Sequence, residues 1–361
     1  MKKSLIALAV LAAAGAASAQ SSVTLFGIVD ATLAYGKANG TGGSNKWQLT
    51  NSGYNSSRLG FRGVEDLGGG MSASFWLEAS VQNDNGTGAA TNTNNQASGG
   101  ALAGMNGSQG LTFGRRSTVS LAGGWGELRL GRDYTPQFWN LTVFDPFGTN
   151  GVGTTQTLNS IITGVTAVRA SNSIGYFLPG NLGGFYGQAQ YYMGENASTA
   201  AAGTKNDGNG FGVRLGWANG PINVALAMSE TKYAAGKVQQ NNVAGQYDLG
   251  MAKVMGQYVW DKNGTVKAKG GLIGALFPIG AGEIRAAWST YKADVVGPDP
   301  RTDKFALGYV HNLSKRTAIY TTVAWVKNKD GAASALNGSS FGAGVVNQNS
   351  SGWDLGVRHS F

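Results

Sequence analysis

The last eleven residues, "SGWDLGVRHSF" at 351–361, decide how the whole chain is read. From Trp353 to Phe361 every second residue is apolar or aromatic, apart from His359. A period of two is the spacing of a β-strand with one apolar face. Because chain ends are usually frayed and polar, a strand that runs to the terminal Phe361 predicts a neighbouring strand on each side, as in a closed sheet.

Segments with the same alternation recur along the chain from Gln20 onward. Each is about ten residues long and is followed by Gly, Asn or Asp, as strands joined by turns are. The segments "SRLGFRGVEDL" at 57–67 and "GMSASFWLEASV" at 70–81 form one such pair. We count sixteen segments and expect one domain over residues 20–361, since no change of composition marks a boundary. Longer polar loops are expected at 37–46, 83–109, 135–168, 196–209, 231–240, 295–302 and 328–351.

A water-soluble β-sandwich and a membrane barrel both explain the alternation, because in each one face of the sheet is apolar. Segments of about ten residues match a tilted strand that spans a bilayer and exceed the usual strand length. The polar faces carry charges and many of the 58 Gly, as expected of a wall that faces water. The sequence therefore favours an all-β fold, a transmembrane antiparallel up-and-down β-barrel. Aromatic residues expected at the membrane interfaces are Phe75, Trp76, Tyr191, Tyr192, Trp217, Trp260, Trp288, Trp325 and Trp353.

Residues 1–19 have the order of a secretory signal peptide. Lys2 and Lys3 precede an apolar run, and the run ends in Ala17-Ser18-Ala19. This order of charged, apolar and small residues predicts export and cleavage after Ala19. No later apolar run is long enough for a transmembrane helix.

The composition argues against catalytic, metal and cofactor sites. The chain has no Cys and two His, His311 and His359, neither of which has an acidic partner nearby in sequence. A hydrolytic site would need a nucleophile beside such a base, so we expect no enzyme activity, no metal and no cofactor. The formal net charge of +9 would suit nucleic acid or small anions. Nucleic acid would need a basic outer surface, and the arginines fall on the opposite face.

Arginines occupy the polar face of the predicted strands. Leu59 and Phe61 mark the lipid-facing positions of the second strand, so Arg58 and Arg62 face the lumen. By the same parity the lumen also receives Arg116, Arg129, Arg169, Arg214, Lys253, Lys269, Arg285 and Arg358, with fewer acids in Asp30, Glu127, Glu283 and Asp354. Arg132 has lipid-face parity and is left out. An Arg that faced lipid at the bilayer midplane would cost about 2–4 kcal/mol, which supports the inner positions.

The long stretch 135–168 contains a single acidic residue, Asp145. If this stretch lies opposite the inner arginines, the field between them is positive and concentrates anions. We therefore predict a passive path for small hydrophilic solutes with a modest preference for anions.

Several segments, in the same order, resemble the general porins of Gram-negative outer membranes, in particular the betaproteobacterial and neisserial branch. "SSVTLFGIVDA" at 21–31 is similar to that family's first strand, and "GELRLGRDYTPQFW" at 126–139 to its fifth strand and the start of its third loop. The match covers nearly all of the chain after residue 19. The resemblance implies a barrel of sixteen strands in the outer membrane, a homotrimer, and a long third loop folded inward.

The resemblance also implies functional residues and partners. A basic wall that faces the third loop corresponds to Arg58, Arg116 and Arg169, with Arg62 and Arg129 as neighbours. A last strand ending in Phe361 looks like the segment that the outer-membrane assembly machinery reads. Further implied partners are outer-membrane lipid and lipopolysaccharide, and small anionic and neutral solutes.

Two alternative functions stay open on sequence grounds. A channel specific for phosphate or carboxylates would show saturable flux and block of the ion current by its solute. An adhesin or anchor barrel would use the long polar loops and conduct nothing.

Overall fold

The described chain is one antiparallel sheet that closes into a barrel, in a computed structural model that covers residues 22–100, 108–157, 164–336 and 344–361. Its strands are β1 (Ser22–Ala38), β2 (Asn45–Asn51, continued by Arg58–Gly68), β3 (Met71–Ser80), β4 (Arg116–Gly123), β5 (Gly126–Tyr134), β6 (Arg169–Phe177), β7 (Phe185–Tyr192), β8 (Gly210–Asn219), β9 (Ile222–Tyr233), β10 (Gly236–Asp248), β11 (Lys253–Asn263), β12 (Val266–Ile279), β13 (Gly282–Asp294), β14 (Arg301–Asn312), β15 (Thr317–Lys329) and β16 (Ser350–Ser360). The two parts of β2 pair with successive parts of β1, so the described residues form the sixteen strands expected. The predicted signal segment and its cleavage after Ala19 lie outside the described residues.

The last strand closes the barrel. β16 pairs with β15 on one side and with β1 on the other. The backbone N–H of Phe361 donates to the carbonyl of Gly27 and the N–H of Gly27 donates back, both at 3.1 Å. The neighbour on each side that the alternating ending predicted is therefore present.

Most irregular structure lies in the connections between strands. The loop between β3 and β4 holds a 3-10 turn at Ala97–Gly99 and a two-residue ladder between Gly88–Ala89 and Ser108–Gln109. The third loop, residues 135–168 between β5 and β6, begins with helix α1 (Pro136–Val143). No helix in the described ranges is both long and apolar enough to cross a membrane.

The apolar face of the sheet is the outer one. Leu355 and Val357 on β16 are each 50% exposed, and Ile273 on β12 is 66% exposed. The alternate positions face inward, as Asp354 does, and its side chain is buried. A sandwich would cover its apolar face with a second sheet, so this outer surface requires lipid and the sandwich alternative is excluded.

Two positional predictions are wrong. The stretch 231–240, expected as a long loop, continues β9 and β10, which pair as far as Tyr233 and Gly236 around a two-residue turn. Lys269, expected inside, shares the outward parity of Ile273, whereas Leu272 is the inner, buried residue. The inner wall of β12 is apolar where the third loop covers it, so an apolar residue on this strand does not mark the lipid face.

The aromatic residues divide between the two faces. Trp288 and Trp325 are 42% and 50% exposed on the outer face, as expected of interfacial residues. Trp76 instead faces the lumen, where its indole N–H donates to Glu78. Tyr192 is fully buried, with its hydroxyl 2.7 Å from that of Thr231. The expectation of an interfacial position was therefore wrong for Trp76 and Tyr192.

Candidate pore constriction

The third loop folds into the barrel and begins along the inner wall of β9–β11. The side-chain amide of Asn140 on α1 donates to the carbonyl of Ala225 at 3.1 Å. From the wall, the amide of Gln257 donates to the carbonyl of Leu141 at 2.9 Å. One bond runs from a helix side chain to the wall backbone, and the other runs from a wall side chain to the helix backbone. Together they fix the position of the helix as well as its direction.

The middle of the loop continues along β12–β16, where the wall is lined by small residues. Phe147 and Val152 pack there among buried alanines. A Cβ added at Gly274 would lie 2.6 Å from Pro146, and one at Gly308 would lie 3.0 Å from Phe147. Part of the glycine content of the chain therefore serves to seat this loop against the wall.

Two charged wall residues hold the same part of the loop. Lys304 donates to the carbonyl of Thr154 at 2.7 Å, and Asp354 accepts the backbone N–H of Val152 at 3.1 Å. The loop is thus bound along β9–β16, and the wall formed by β2–β6 lies on the other side of the lumen.

Residues 52–57, which interrupt β2, form a second inward segment. One carboxylate oxygen of Asp30 accepts the backbone N–H groups of Tyr54 and Asn55 at 2.9 and 2.6 Å. The Ser56 hydroxyl donates to Asn150 of the third loop at 2.8 Å. Six residues on β2 therefore stand opposite two on β1 and narrow the barrel together with the third loop.

The opposite wall carries a compact group that we call the wall cluster: Arg58, Arg115, Arg169, Glu78 and Tyr134. Glu78 accepts hydrogen bonds from Arg115 at 2.5 Å and from Arg58 at 3.4 Å. The Tyr134 hydroxyl oxygen accepts from Arg115 at 2.8 Å and from Arg169 at 3.0 Å. Arg169 also donates to the backbone carbonyl of Arg115 at 2.8 Å.

The wall cluster is electropositive by composition. Three guanidinium groups share one carboxylate and one neutral phenol, and Arg stays charged at any accessible pH. The phenol oxygen of Tyr134 and the backbone carbonyl of Arg115 also accept hydrogen bonds from guanidinium groups. The three positive charges therefore lie close together although only one carboxylate is present. The Arg58 side chain keeps 24% of its surface exposed, so part of this charge is presented to solvent.

Arg116 and Arg129 belong to a second, balanced group on β4 and β5. Arg129 donates to Glu127 at 2.9 and 3.0 Å and to Asp133 at 2.6 Å. Arg116 lies 3.8 Å from Asp133. Two cations and two anions leave this group near neutrality. The structure therefore divides the predicted arginines, since Arg58 and Arg169 lie in the positive cluster and Arg116 and Arg129 in the balanced one.

Arg62 lies on the lumen face between two aromatic rings. Its guanidinium carbon is 5.4 Å from the ring centre of Phe26 and 5.2 Å from that of Trp76. Within the described residues no acid pairs with Arg62, so its charge is held by cation–π contacts and solvent.

Asp145 organises the third loop. Its carboxylate is buried and accepts backbone N–H groups from Phe147, Thr149 and Thr155 at 2.9, 3.1 and 3.3 Å. Burial raises the pKa of Asp145 to about 6, against the opposing effect of these hydrogen bonds and of Lys304. The predicted pore-facing acid thus points into its own loop, where short-range backbone bonds favour it over the open lumen.

Sequence reasoning missed Arg115, Glu78, Trp76 and Tyr134. Arg115 precedes β4 and so has no parity. The signal for Trp76 and Glu78 was present, because both share one face of β3 and the register sets Arg116 opposite Glu78. Tyr134 ends β5, where alternation stops.

Arg132 lies outside the wall cluster. Its guanidinium donates to the carbonyls of Gly114 and Asn92 at 2.7 and 3.2 Å and to the Ser171 hydroxyl at 2.8 Å. Its outer parity keeps Arg132 out of the lumen set, and its guanidinium is held by hydrogen bonds to the loop before β4 and to β6.

Three further lumen arginines, outside the wall cluster and the balanced group, also lie on aromatic rings. Arg214 is 4.8 Å from the ring centre of Tyr186. Arg285 and Arg358 are 4.4 and 5.1 Å from that of Tyr54, which belongs to the inward segment of β2. The pairing of Arg with an aromatic ring is thus a repeated feature of this lumen.

Phe361 follows the end of β16, and its ring contacts the start of β1. A Cβ added at Gly27 would lie 2.4 Å from the Phe361 ring, so the ring needs glycine at that position. The ring covers the start of β1 and remains 43% exposed.

Known proteins share this architecture. A family model described as Gram-negative porin matches residues 5–331. Outer membrane porin protein 32 of Delftia acidovorans is 38% identical, and the alignment covers 100% of both chains. An outer membrane porin protein of Bordetella pertussis is 29% identical over 91% of this chain and 95% of its own.

Solved structures agree with the sequence relatives. An anion-selective porin from Comamonas acidovorans superposes with a TM-score of 0.82 at 34% identity, covering 95% of this chain and 100% of the other. OmpT of Vibrio cholerae, at 11% identity and a TM-score of 0.64, shares the fold over 94% of this chain and 98% of its own. From the family match, the close relatives and the closed sixteen-strand sheet, we conclude that this chain belongs to the Gram-negative porin family and is a β-barrel of the outer membrane.

Proposed function

We propose that the chain is a passive diffusion channel for small hydrophilic solutes whose constriction prefers anions. The observation that carries this proposal is the wall cluster, in which Glu78 supplies the single carboxylate for three arginines. Arg58 and Arg115 contact that carboxylate, whereas Arg169 donates to the Tyr134 hydroxyl and to a backbone carbonyl. Facing the wall cluster is a loop whose one described acid, Asp145, is buried in hydrogen bonds of its own backbone. The similarity to the anion-selective porin from Comamonas acidovorans supports the same direction of selectivity.

The proposed selectivity arises from a fixed field in a narrow aqueous space. Low-dielectric walls concentrate the potential of the wall cluster, which raises the local concentration of anions and lowers that of cations. Arg62 adds a further cation, whereas the balanced group of Arg116 and Arg129 adds little net charge. The preference is expected to be modest because water fills the space and salt screens the charges over about 8–10 Å.

The test is the reversal potential of the purified mature protein in a planar bilayer under a KCl gradient. We expect a chloride-favouring potential that falls in the double variant Arg58→Gln/Arg115→Gln. The matched control is Lys315→Gln/Arg316→Gln, which removes two exposed charges from the β14–β15 turn. A potassium-favouring potential of the unaltered protein would overturn the proposal, as would equal shifts in the two variants.

A second candidate is a channel specific for phosphate or carboxylates. It is favoured by Arg62, whose guanidinium has no acidic partner among the described residues while Phe26 and Trp76 hold it in place. Planar guanidinium groups bind such anions through paired hydrogen bonds. Saturable phosphate flux, together with block of chloride current by millimolar phosphate, would establish this candidate, and a linear flux would exclude it.

We propose that this chain is exported and assembled as other members of the family are. We infer a homotrimer, which native mass spectrometry of the unheated protein would show as three times the mature mass. We further infer removal of residues 1–19, which N-terminal sequencing tests directly. If the assembly machinery recognises Phe361, Phe361→Ala should lower the yield of barrel inserted into the outer membrane of cells. The same substitution should lower the yield of refolding in detergent by a smaller factor.

A further inference from the structure

A group of lysines lies on the outer face of the barrel at the ends of β11–β13. Lys262, Lys267 and Lys269 are exposed and Lys292 is half-buried. They line a groove of about 570 Å³ together with Tyr258 and Trp260 of β11. We call these four cations and the space between them the lysine groove.

The register places like charges directly opposite each other. Lys262 pairs with Lys267 across β11 and β12, and Lys269 pairs with Lys292 across β12 and β13. Residues so paired have Cβ atoms about 4.5–5.5 Å apart, and like charges at such positions are destabilising. Two adjacent pairs of this kind are unfavourable for the isolated barrel and favour an anion between them.

Acidic residues of the barrel neutralise only part of this charge. Lys292 pairs with Asp299 at 2.8 Å, and Asp294 lies opposite Lys267 in the register. Asp261 also lines the groove, so four lysines stand against three carboxylates. Among the described residues, Lys262, Lys267 and Lys269 form no ion pair. The groove therefore keeps a net positive charge.

The groove begins at the level of the outermost aromatic residues of the outer face and extends beyond them. Trp260 lies directly opposite Lys269 in the register, and its ring stacks on Tyr258 with a centroid distance of 5.9 Å. On β13, Lys292 follows the exposed Trp288 by four residues, or about 13 Å along a strand. Interfacial tryptophans mark the boundary of the hydrocarbon, so the lysines lie at the depth of lipid headgroups.

The end of the barrel identifies the leaflet. Three of the lysines flank the turn between β11 and β12, and Lys292 lies near the end of β13. Both places are at the same end as the third loop, and long loops are extracellular in such barrels. We propose that the lysine groove binds the phosphorylated headgroup of an outer-leaflet lipid, whose acyl chains lie along Tyr258 and the apolar strand faces. This inference rests on the outer-membrane location and is independent of the selectivity of the lumen.

Lysine suits this ligand better than it suits a protein partner. Its ammonium is a compact charge on a flexible stem that reaches from an apolar wall to a polar headgroup. Phosphate groups supply more than one negative charge to a site with two pairs of cations. A free ion would use the lysines alone, whereas a lipid would also use the aromatic and apolar surface beside them.

The test compares the variant Lys262→Gln/Lys267→Gln/Lys269→Gln with a matched control, Lys205→Gln/Lys315→Gln/Arg316→Gln. The control removes three exposed charges far from the groove in sequence. Native mass spectrometry of the whole assembled protein in detergent would measure binding of bisphosphorylated lipid A and of its dephosphorylated form. Inorganic phosphate serves as the competitor, and heat-modified gel migration confirms folding of each variant.

Bisphosphorylated lipid A should bind the unaltered protein and the control equally. The groove variant should bind it about a hundred-fold more weakly, since each lysine near an anionic surface contributes about a factor of five. Its reversal potential in KCl should stay unchanged, which separates this proposal from that for the lumen. Equal binding by the groove variant, equal binding of the dephosphorylated lipid, or full displacement by inorganic phosphate at lipid-equivalent concentration would each overturn the proposal.

Discussion

The inner wall and the outer rim of this barrel both carry cations, but they use different residues in different surroundings. Inside, Arg62, Arg169 and Arg285 lie on aromatic rings, and most inner arginines also donate to acids or hydroxyls. Outside, Lys262, Lys267 and Lys269 are exposed and have no described ion pair. The same charge is thus rigidly held on one face and loosely held on the other.

The difference follows from what each face must do. A constriction needs charges at fixed positions, and a planar guanidinium can stack on a ring and donate to several acceptors at once. A headgroup region is fluid, and an ammonium on a long stem can follow it. Substitutions that exchange or remove these side chains should therefore change stability and selectivity strongly inside the barrel and weakly on its outer rim.

Exchange of the cations should produce the largest contrast. Arg115→Lys keeps the charge but cannot reach both Glu78 and Tyr134, because an ammonium lacks the two-sided geometry of guanidinium. We expect the free energy of unfolding in urea to fall by about 2–3 kcal/mol. Lys269→Arg should change it by less than about 0.5 kcal/mol. Equal effects would contradict the contrast.

Removal of an acid should show the next largest contrast. Asp30→Asn weakens the acceptor that holds Tyr54 and Asn55, so the inward segment of β2 loses its anchor. A loss of about 2 kcal/mol is expected from hydrogen bonds to a charged group, along with noisier single-channel current. Asp294→Asn on the outer rim is the control and should leave both measurements as they are. Quiet current in Asp30→Asn would show that the segment is held by other contacts.

Replacement of a tryptophan should have a smaller effect that again depends on the face. Trp76→Leu removes the ring beneath Arg62 and Arg116 and the donor to Glu78. We expect about 1–2 kcal/mol of destabilisation and an altered chloride preference in the KCl gradient. Trp325→Leu should leave the preference intact, since that ring faces lipid. A shift of the reversal potential by Trp325→Leu alone would reverse the assignment of faces.

The smallest expected effect is a pH dependence of selectivity. As the pH falls through about 6, Asp145 takes up a proton because burial has raised its pKa to about 6. The third loop then loses its negative charge, so the anion preference should rise between pH 7 and pH 5, by less than about a factor of two. The folded state binds this proton more readily than the unfolded chain, so the stability due to Asp145 is greatest at low pH and is lost as the pH rises through 6.

The variant Asp145→Asn should weaken this pH dependence of the reversal potential. Asp299→Asn, on an exposed loop, is the control and should retain it. An unchanged pH profile in Asp145→Asn would mean that another group titrates in the constriction.

Most of the barrel could be predicted because alternation is a local property. The terminal segment at 351–361 correctly implied two neighbouring strands, and the recurring segments gave the right number of strands. Parity failed at Lys269 because the third loop makes the inner wall of β12 apolar. An apolar residue marks the lipid face only where nothing covers the inside, and that depends on a segment far away in sequence.

By itself, then, the sequence determined the strands, the barrel and an inner wall rich in arginine, since each of these follows from spacing along one strand. Only the tertiary structure decided which arginines form a positive site. Arg115 meets Glu78 across a separation of 37 residues and Arg169 meets Tyr134 across 35. It also decided that Asp145 turns into its own loop and that two pairs of lysines meet on the outside. Charges interact through space, and the closure of the sheet brings them together.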